Sequence, residues 1–362
     1  MHSPSEKRTW DLFCRVIDNH GDIGVCWRLA ADLGARGERV RLWVDDPAAL
    51  AWMAPRGAPG VTLHPFDGAG RVEEAPGDVV IEAFGCDLPQ AFVRRMATAR
   101  SAPLWINLEY LSAESYVERS HRLPSPQLSG PGAELDKWFF YPGFTARTGG
   151  LIREPGLAQQ QRSFDAQAWL AAHAVPRQER AHERVVSLFC YAQPALGGLL
   201  EHFARQPTLL LATPGPATRQ LLEQTGPALQ RGALRAHRLP LLAQTDYDRL
   251  LWACDLNFVR GEDSFVRAQW AGAPFVWQVY PQEDGAHAVK LGAFLDRFLE
   301  DAEPVFAADV RAIHAAWNGL ATSGWKMPDA AIWRAHCEGW REKLLSQADL
   351  SSQLLGFVAR KR

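Results

Sequence analysis

Short apolar runs alternate with helical patterns along this chain, then lapse, then alternate again. That double alternation leaves few folds open, because short apolar strands separated by amphipathic helices build a parallel sheet covered on both faces. In the first half, Trp10–Ile17, Val40–Val44, Val61–Pro65, Val79–Glu82 and Leu104–Leu108 read as strands, with helices predicted over Ile23–Arg36 and Pro89–Ala99. Gly37 falls where a left-handed cap ends the first helix. In the second half, Val185–Phe189, Thr208–Ala212, Leu256–Val259 and Phe275–Trp277 read as strands, between helices at Leu196–Arg205, Ala217–Glu223, Tyr247–Cys254 and Phe265–Ala273. The tail from Asp309 onward reads as mostly helical.

The lapse, from about Pro142 to Glu183, contains Gly149-Gly150, Gln159-Gln160-Gln161 and a candidate helix at Phe164–Ala174. It divides the chain into an expected first domain over 1–150, a connection over 151–184 and a second domain over 185–362. The expected class is α/β, with two doubly wound domains facing each other across a cleft. Ligands of such sheets bind outside the carboxyl ends of the strands, where the strand order reverses. Residues that directly follow strands are therefore the candidates for function.

Composition narrows the function classes. Lys plus Arg (39) against Asp plus Glu (41) gives a net charge of −2. A near balance removes the long-range drive toward phosphate backbones, so general nucleic-acid binding is not expected. No apolar run is long enough to span a bilayer, and Met1–Trp10 lacks the apolar middle of a signal peptide, so a cytoplasmic protein is expected. The six cysteines (14, 26, 86, 190, 254 and 337) form no C-x-x-C pair and sit mainly in apolar stretches. They read as reduced core residues, not as metal ligands or a disulfide frame.

Two strand ends carry polar clusters. After Ile17 come Asp18-Asn19-His20-Gly21-Asp22-Ile23-Gly24, leading into a helix. Asp22 can cap that helix, but a cap needs one carboxylate, and here two lie four residues apart. The segment fits neither a phosphate-binding G-K-[ST] loop nor G-x-G-x-x-G. Paired carboxylates at a sheet edge suit a cationic or hydroxylic acceptor that must be positioned and deprotonated. His20, alone in a turn, reads as a hydrogen-bonding or surface residue.

The second cluster, Arg260-Gly261-Glu262-Asp263-Ser264, follows Val259 and opens a helix, with Ser264 expected as its N-cap. A helix start with a nearby arginine suits a diphosphate. Gly261 lets backbone approach a ligand, and Glu262 and Asp263 can accept from sugar hydroxyls or favour the helix dipole. Phe189 and Tyr191, after the first strand of the second half, offer aromatic faces to a base, and Gln244 can reach a base edge. Asp246-Tyr247-Asp248 spells the D-x-D of metal-dependent sugar-nucleotide enzymes. Thr245 and Asp248, however, have capping-box spacing, so no metal is expected.

With these residues in view, the chain resembles the EarP family, protein-arginine rhamnosyltransferases that modify bacterial elongation factor P. The resemblance is carried by Val16-Ile17-Asp18-Asn19-His20-Gly21-Asp22-Ile23-Gly24-Val25 and by the long run Asp246–Gln282, and covers nearly the whole chain. It implies a GT-B architecture of two Rossmann-like domains. It also implies dTDP-β-L-rhamnose as donor in the second domain, an arginine of elongation factor P as acceptor at the first, and inverting transfer without a metal or other cofactor. The resemblance further implies that the second aspartate of the D-N-x-G-D motif, here Asp22, acts as general base with Asp18 as its partner. It also implies that Asn19, His20 and Gly21 line the substrate, with His20 not essential, and that Glu262 is essential. The alternatives are another GT-B enzyme, such as an epimerase or a small-acceptor transferase, and a non-catalytic escort of the elongation factor.

Overall fold

The computed structural model describes residues 7–17, 20–66, 73–175, 183–282, 285–321 and 324–361. The chain divides into two compact units, 1–155 with 346–362, and 156–345.

The first unit holds β1 (Thr9–Cys14), β2 (Arg39–Val44), β3 (Val61–Pro65), β4 (Val79–Ala83), β5 (Leu104–Leu108), β6 (Pro124–Pro126) and β7 (Asp136–Phe140). They form one sheet in the order β3-β2-β1-β4-β5-β7-β6. All neighbours are parallel except β6, which runs antiparallel to β7 at the edge. The order reverses between β1 and β4, which makes their carboxyl ends the switch point. Alternate residues of the central strands enter a core of Phe13, Trp43, Val80 and Trp105, closed by Phe92 and Met96 of the helix Gln90–Thr98. The helix Gly21–Ala35 ends as expected, with Gly37 at φ +96°.

The second unit holds β8 (Arg184–Leu188), β9 (Thr208–Ala212), β10 (Gln230–Arg231), β11 (Leu234–Arg238), β12 (Leu256–Arg260) and β13 (Phe275–Gln278), in the order β10-β11-β9-β8-β12-β13. Only β10 is antiparallel. The order reverses between β8 and β12, which pair directly.

The expected boundaries differ from these units in two places. The segment 151–184 holds more than the helix expected at Phe164–Ala174. It contains the helices Leu157–Arg162 and Ala166–Ala172, and Trp169 and Leu170 pack with Val185, Leu209 and Leu250 in the second core. The helix Leu350–Lys361 belongs to the first unit, where Phe357 meets Trp138 and Phe140, with centroids 5.8 and 5.9 Å apart. Arg36 Nη2 to Asp349 (2.8 Å) and Arg122 Nη2 to Gln353 (2.7 Å) fasten that last segment. All six cysteines are free and buried, and no described helix is long and apolar enough to cross a membrane.

Candidate functional site

In the first unit, Asp22 is the second residue of the helix that follows β1 and is only 3% exposed. Its Oδ2 accepts from the Ile17 backbone N–H at 2.8 Å, and its Oδ1 from the Tyr110 hydroxyl at 3.3 Å. A carboxylate in a helix's first turn also meets the positive end of the helix dipole. Its bond runs back across the turn to Ile17 instead of capping the helix, whose N-cap is His20 without a side-chain cap bond. His20 turns its ring edge-on to Trp52, at 5.3 Å. Asp18 and Asn19 lie outside the described residues.

Tyr110 comes two residues after β5 and stacks on Phe84 at 4.4 Å. Phe84, directly after β4, lies at φ +59°, a backbone region that costs a bulky residue free energy and clusters at functional edges. The end of β4 thus presents a ring that holds the Tyr110 phenol beneath Asp22. Tyr110 obeys the same strand-end rule as Asp22 and was reachable from the sequence, where Asn107, Glu109, Ser112 and Glu114 surround it.

In the second unit, Arg260 ends β12 with its guanidinium 4.4 Å from the ring centroid of Phe189 and 4.4 Å from that of Tyr191. These two aromatics follow β8, across the switch point. Tyr247 meets Phe189 edge-on at 5.6 Å, and Tyr280, just beyond β13, meets Tyr191 edge-on at 5.5 Å. Cys190, between the two aromatics, has its thiol pushed up to about 12 by burial and is unreactive there. Gln278 Oε1 accepts from the Tyr191 N–H at 2.9 Å, which sets the height of that ring. Gly261 lies at φ +64°, and its carbonyl accepts from Trp277 Nε1 at 2.8 Å. A side chain at position 261 would strain that turn.

The helix after Gly261 spans Asp263–Ala271 with Glu262, not Ser264, at its N-cap. The helix begins two residues earlier than expected. Ser264 therefore sits inside it, bonded through Oγ to both the N–H (3.0 Å) and the carbonyl of Arg260. Ser264 fixes the β12 end instead of capping the helix. Gln244, the first residue of the helix Gln244–Ala253, donates from Nε2 to Asp263 Oδ2 at 3.2 Å. Phe189, Tyr191, Gln244, Arg260, Gly261, Glu262, Asp263 and Ser264 thus collect around one switch point.

The capping-box spacing of Thr245 and Asp248 is not used, because the helix starts at Gln244. Asp248 is instead buried against Arg267 in a two-pronged ion pair, Nε to Oδ1 and Nη2 to Oδ2, both 2.8 Å. Asp246 pairs with Arg249 at 2.8 Å on the surface. The two carboxylates of D-x-D thus serve different partners. A cavity of about 520 Å³ also exists in this unit, but Arg184, Leu256 and Pro274 place it at the amino ends of the strands, opposite the switch point.

The chain is similar over nearly its whole length to proteins of one family. The family model described as elongation factor P (EF-P) rhamnosyltransferase EarP matches residues 10–359. The protein-arginine rhamnosyltransferase of Pseudomonas aeruginosa is 44% identical, covering 97% of this chain and 99% of its own length. That of Neisseria meningitidis serogroup B is 36% identical, covering 96% of each. A solved structure addressing EarP-mediated arginine glycosylation of translation elongation factor EF-P superposes with a TM-score of 0.67 at 31% identity, over 98% of this chain and 100% of that one. The calicheamicin glycosyltransferase CalG4, at 14% identity, shares the fold with a TM-score of 0.53 over 98% of this chain and 99% of its own. These neighbours are glycosyltransferases of GT-B architecture.

Proposed function

The chain belongs to the EarP family of glycosyltransferases, and from that premise we propose that it moves L-rhamnose from dTDP-β-L-rhamnose to an arginine of translation elongation factor P, with inversion. The observation that carries the acceptor half is Asp22, a buried carboxylate fixed by Ile17 and Tyr110 at the first switch point. Arginine keeps its proton to above about pH 12, so a carboxylate with a free pKa near about 4 does not remove it beforehand. Asp22 holds and orients the guanidinium through a charge-assisted hydrogen bond. It takes the proton as the guanidinium nitrogen bonds to the anomeric carbon and the diphosphate leaves from the opposite face. Asp18, four residues earlier, shares the guanidinium charge in this reading.

The donor belongs to the second unit. The Asp263–Ala271 helix start and the Arg260 guanidinium stabilise the leaving diphosphate, whose charge grows as the bond breaks. Arg260 already covers one face of Phe189 and of Tyr191, so a thymine base takes the remaining aromatic surface or stacks on the guanidinium plane. A carboxylate beside two phosphates is unfavourable unless it accepts from a hydroxyl or balances a cation. Glu262 and Asp263 therefore serve ribose or rhamnose hydroxyls.

The test is the intact mass of elongation factor P after incubation with this protein and dTDP-β-L-rhamnose. The expected product carries one deoxyhexose on arginine, with an α-linkage by NMR. An unmodified elongation factor refutes the acceptor, and a retained β-linkage refutes the inversion.

A further inference from the structure

Beside Tyr110 lies a second cluster that the transfer step above leaves unused. Glu109 directly follows β5, and its N–H bonds to the Phe140 carbonyl at the end of β7 (3.0 Å). It is half-buried, and its carboxylate accepts from Asn107 Nδ2 at 2.8 Å. A carboxylate only accepts, so this contact fixes the nitrogen end of the Asn107 amide. Its Oδ1 then has no partner among the described residues, although Asn107 is 6% exposed. Buried acceptors without a donor are rare and call for an explanation.

Two phenols flank the carboxylate. Tyr141 follows β7, and Tyr116, 40% exposed, meets it edge-on at 5.7 Å. Glu114 stands near them, held by the Ser112 hydroxyl at 3.0 Å. Lys137 on β7 acts on Glu109 through space, but its ammonium is paired with Glu82 and lies 4.8 Å over the Trp105 ring. Among the described residues no ion pair reaches Glu109. Burial pushes the Glu109 carboxyl above its ordinary range. Burial also pushes the Tyr141 phenol up to about 12, with further upward pressure from Glu109 and Tyr116. Tyr116 is raised by burial first, then by Glu114 and Glu109. The cluster is thus a recessed, electron-rich spot, walled by two rings, with an unmatched carboxylate. An ammonium or guanidinium matches both the carboxylate and the two ring faces.

Strands β1, β4 and β5 are neighbours in that order. Asp22 opens the helix after β1, Glu109 follows β5, and Tyr110, the residue next to Glu109, bonds to Asp22 at 3.3 Å. Both carboxylates thus belong to one sheet edge, where the β1 and β5 ends are two strand spacings or about 10 Å apart. We propose that Glu109, with Tyr116 and Tyr141, binds a second cationic side chain of the acceptor protein, a lysine or arginine about 10 Å from the arginine held by Asp22. This rests on the acceptor reading above and adds a specificity determinant to it. In extended chain, a residue three positions from the modified arginine spans about that distance.

Glu109→Gln keeps the side-chain shape and the bond from Asn107 while removing the charge. The expected result is an acceptor KM raised about tenfold, with kcat at saturating acceptor and the donor Kd held within twofold. Tyr116→Ala, a change at an exposed ring, should raise the same KM severalfold. In elongation factor P, each lysine or arginine near the modified one is then replaced by Met. One of these should raise KM in the native enzyme yet add less than twofold in the Glu109→Gln background. The native acceptor KM should also climb on acidification through the raised Glu109 pKa and stay flat in Glu109→Gln. Lys137, Glu82, Glu114, Tyr116 and Tyr141 are present in both proteins. An unchanged KM in Glu109→Gln overturns the proposal, as does strict additivity with every Met replacement or a defect confined to kcat. If the native enzyme leaves elongation factor P unmodified, the rhamnosyl-transfer reading has failed instead. The subsite is then read from elongation factor P binding by calorimetry, where loss of affinity in Glu109→Gln supports it and unchanged affinity overturns it.

Discussion

Asp22→Asn isolates the acceptor half of the reaction. The amide has nearly the volume of the carboxylate, so its Oδ1 can keep the 2.8 Å bond from Ile17. Its Nδ2 then faces the Tyr110 hydroxyl, which accepts as readily as it donates. The helix Gly21–Ala35 keeps its geometry and loses only a favourable charge at its positive end, about 0.3–1 kcal/mol. The transition state loses much more. It no longer has an anion for the guanidinium or an acceptor for its proton, and removal of a general base costs roughly 10²–10⁴-fold. At about 1.36 kcal/mol per factor of ten, that is about 3–5 kcal/mol. Because Asp22 is almost wholly buried, bulk water is poorly placed to substitute, which puts the expectation near the upper end, about 10³–10⁴-fold. Single-turnover transfer followed by intact mass reads the rate, and calorimetry with dTDP reads the donor site. The residues assigned to the donor all lie in the second unit, so dTDP affinity should hold within twofold. A rate within tenfold of native, or donor binding lost as completely as turnover, refutes the reasoning.

Glu262→Gln removes a hydrogen bond from a hydroxyl to a charged group, worth about 1.5–3 kcal/mol. Turnover should fall at least tenfold with a smaller rise in the donor Kd, read by single-turnover transfer and calorimetry, and native values in both would remove Glu262 from the site. Arg260→Lys keeps the charge but loses the plane stacked at 4.4 Å on Phe189 and Tyr191, so the dTDP Kd should rise about tenfold by calorimetry. Asp248→Asn leaves Arg267 buried with a broken ion pair, which should lower stability by about 3–5 kcal/mol in denaturant unfolding. EDTA should leave transfer unchanged, because Asp246 and Asp248 are committed to Arg249 and Arg267; activity lost in EDTA and restored by Mg²⁺ would overturn this. Burial lowers His314 to about 4 from 6.5, so below pH 6.5 the unfolded chain binds a proton that the folded one refuses. Unfolding midpoints should therefore fall as pH drops from 6.5 toward 4, and less steeply in His314→Gln.

What the sequence conveyed about this molecule was mostly local. Strand period, turn residues and glycine positions reside in a few consecutive residues, which is why Val61–Pro65, Leu104–Leu108 and Thr208–Ala212 were legible to the residue. The same locality led the strand-end rule to Asp22, Phe189, Tyr191 and Arg260. Strand β11 escaped it because Leu234–Arg238 alternates apolar with basic residues and is largely half-exposed, and β7 escaped it although Trp138-Phe139-Phe140 is a short aromatic run. The helix Leu350–Lys361 has an ordinary amphipathic pattern, and nothing in that pattern says which core receives Leu354 and Phe357. Side-chain partners were harder still. Ser264 was a reasonable N-cap by residue type, yet a helix that starts two residues earlier turns its hydroxyl onto Arg260. Asp248 reads as a capping or metal-binding acid until Arg267, nineteen residues on, takes both its oxygens. Tyr110 reaches Asp22 from 88 residues away, and only the neighbouring order of β1, β4 and β5 makes that contact possible. The elements that place the chemistry are thus specified by short-range pattern. The hydrogen bonds that tune it are specified by strand order, which is where substitutions such as Tyr110→Phe will separate positioning of Asp22 from its role as the acceptor's base. A phenylalanine there still stacks on Phe84 at 4.4 Å and removes one bond to a carboxylate, about 1.5 kcal/mol or tenfold in kcat/KM. That is far less than the loss expected from Asp22→Asn. Equal losses from the two would mean that the phenol, not the carboxylate, touches the acceptor.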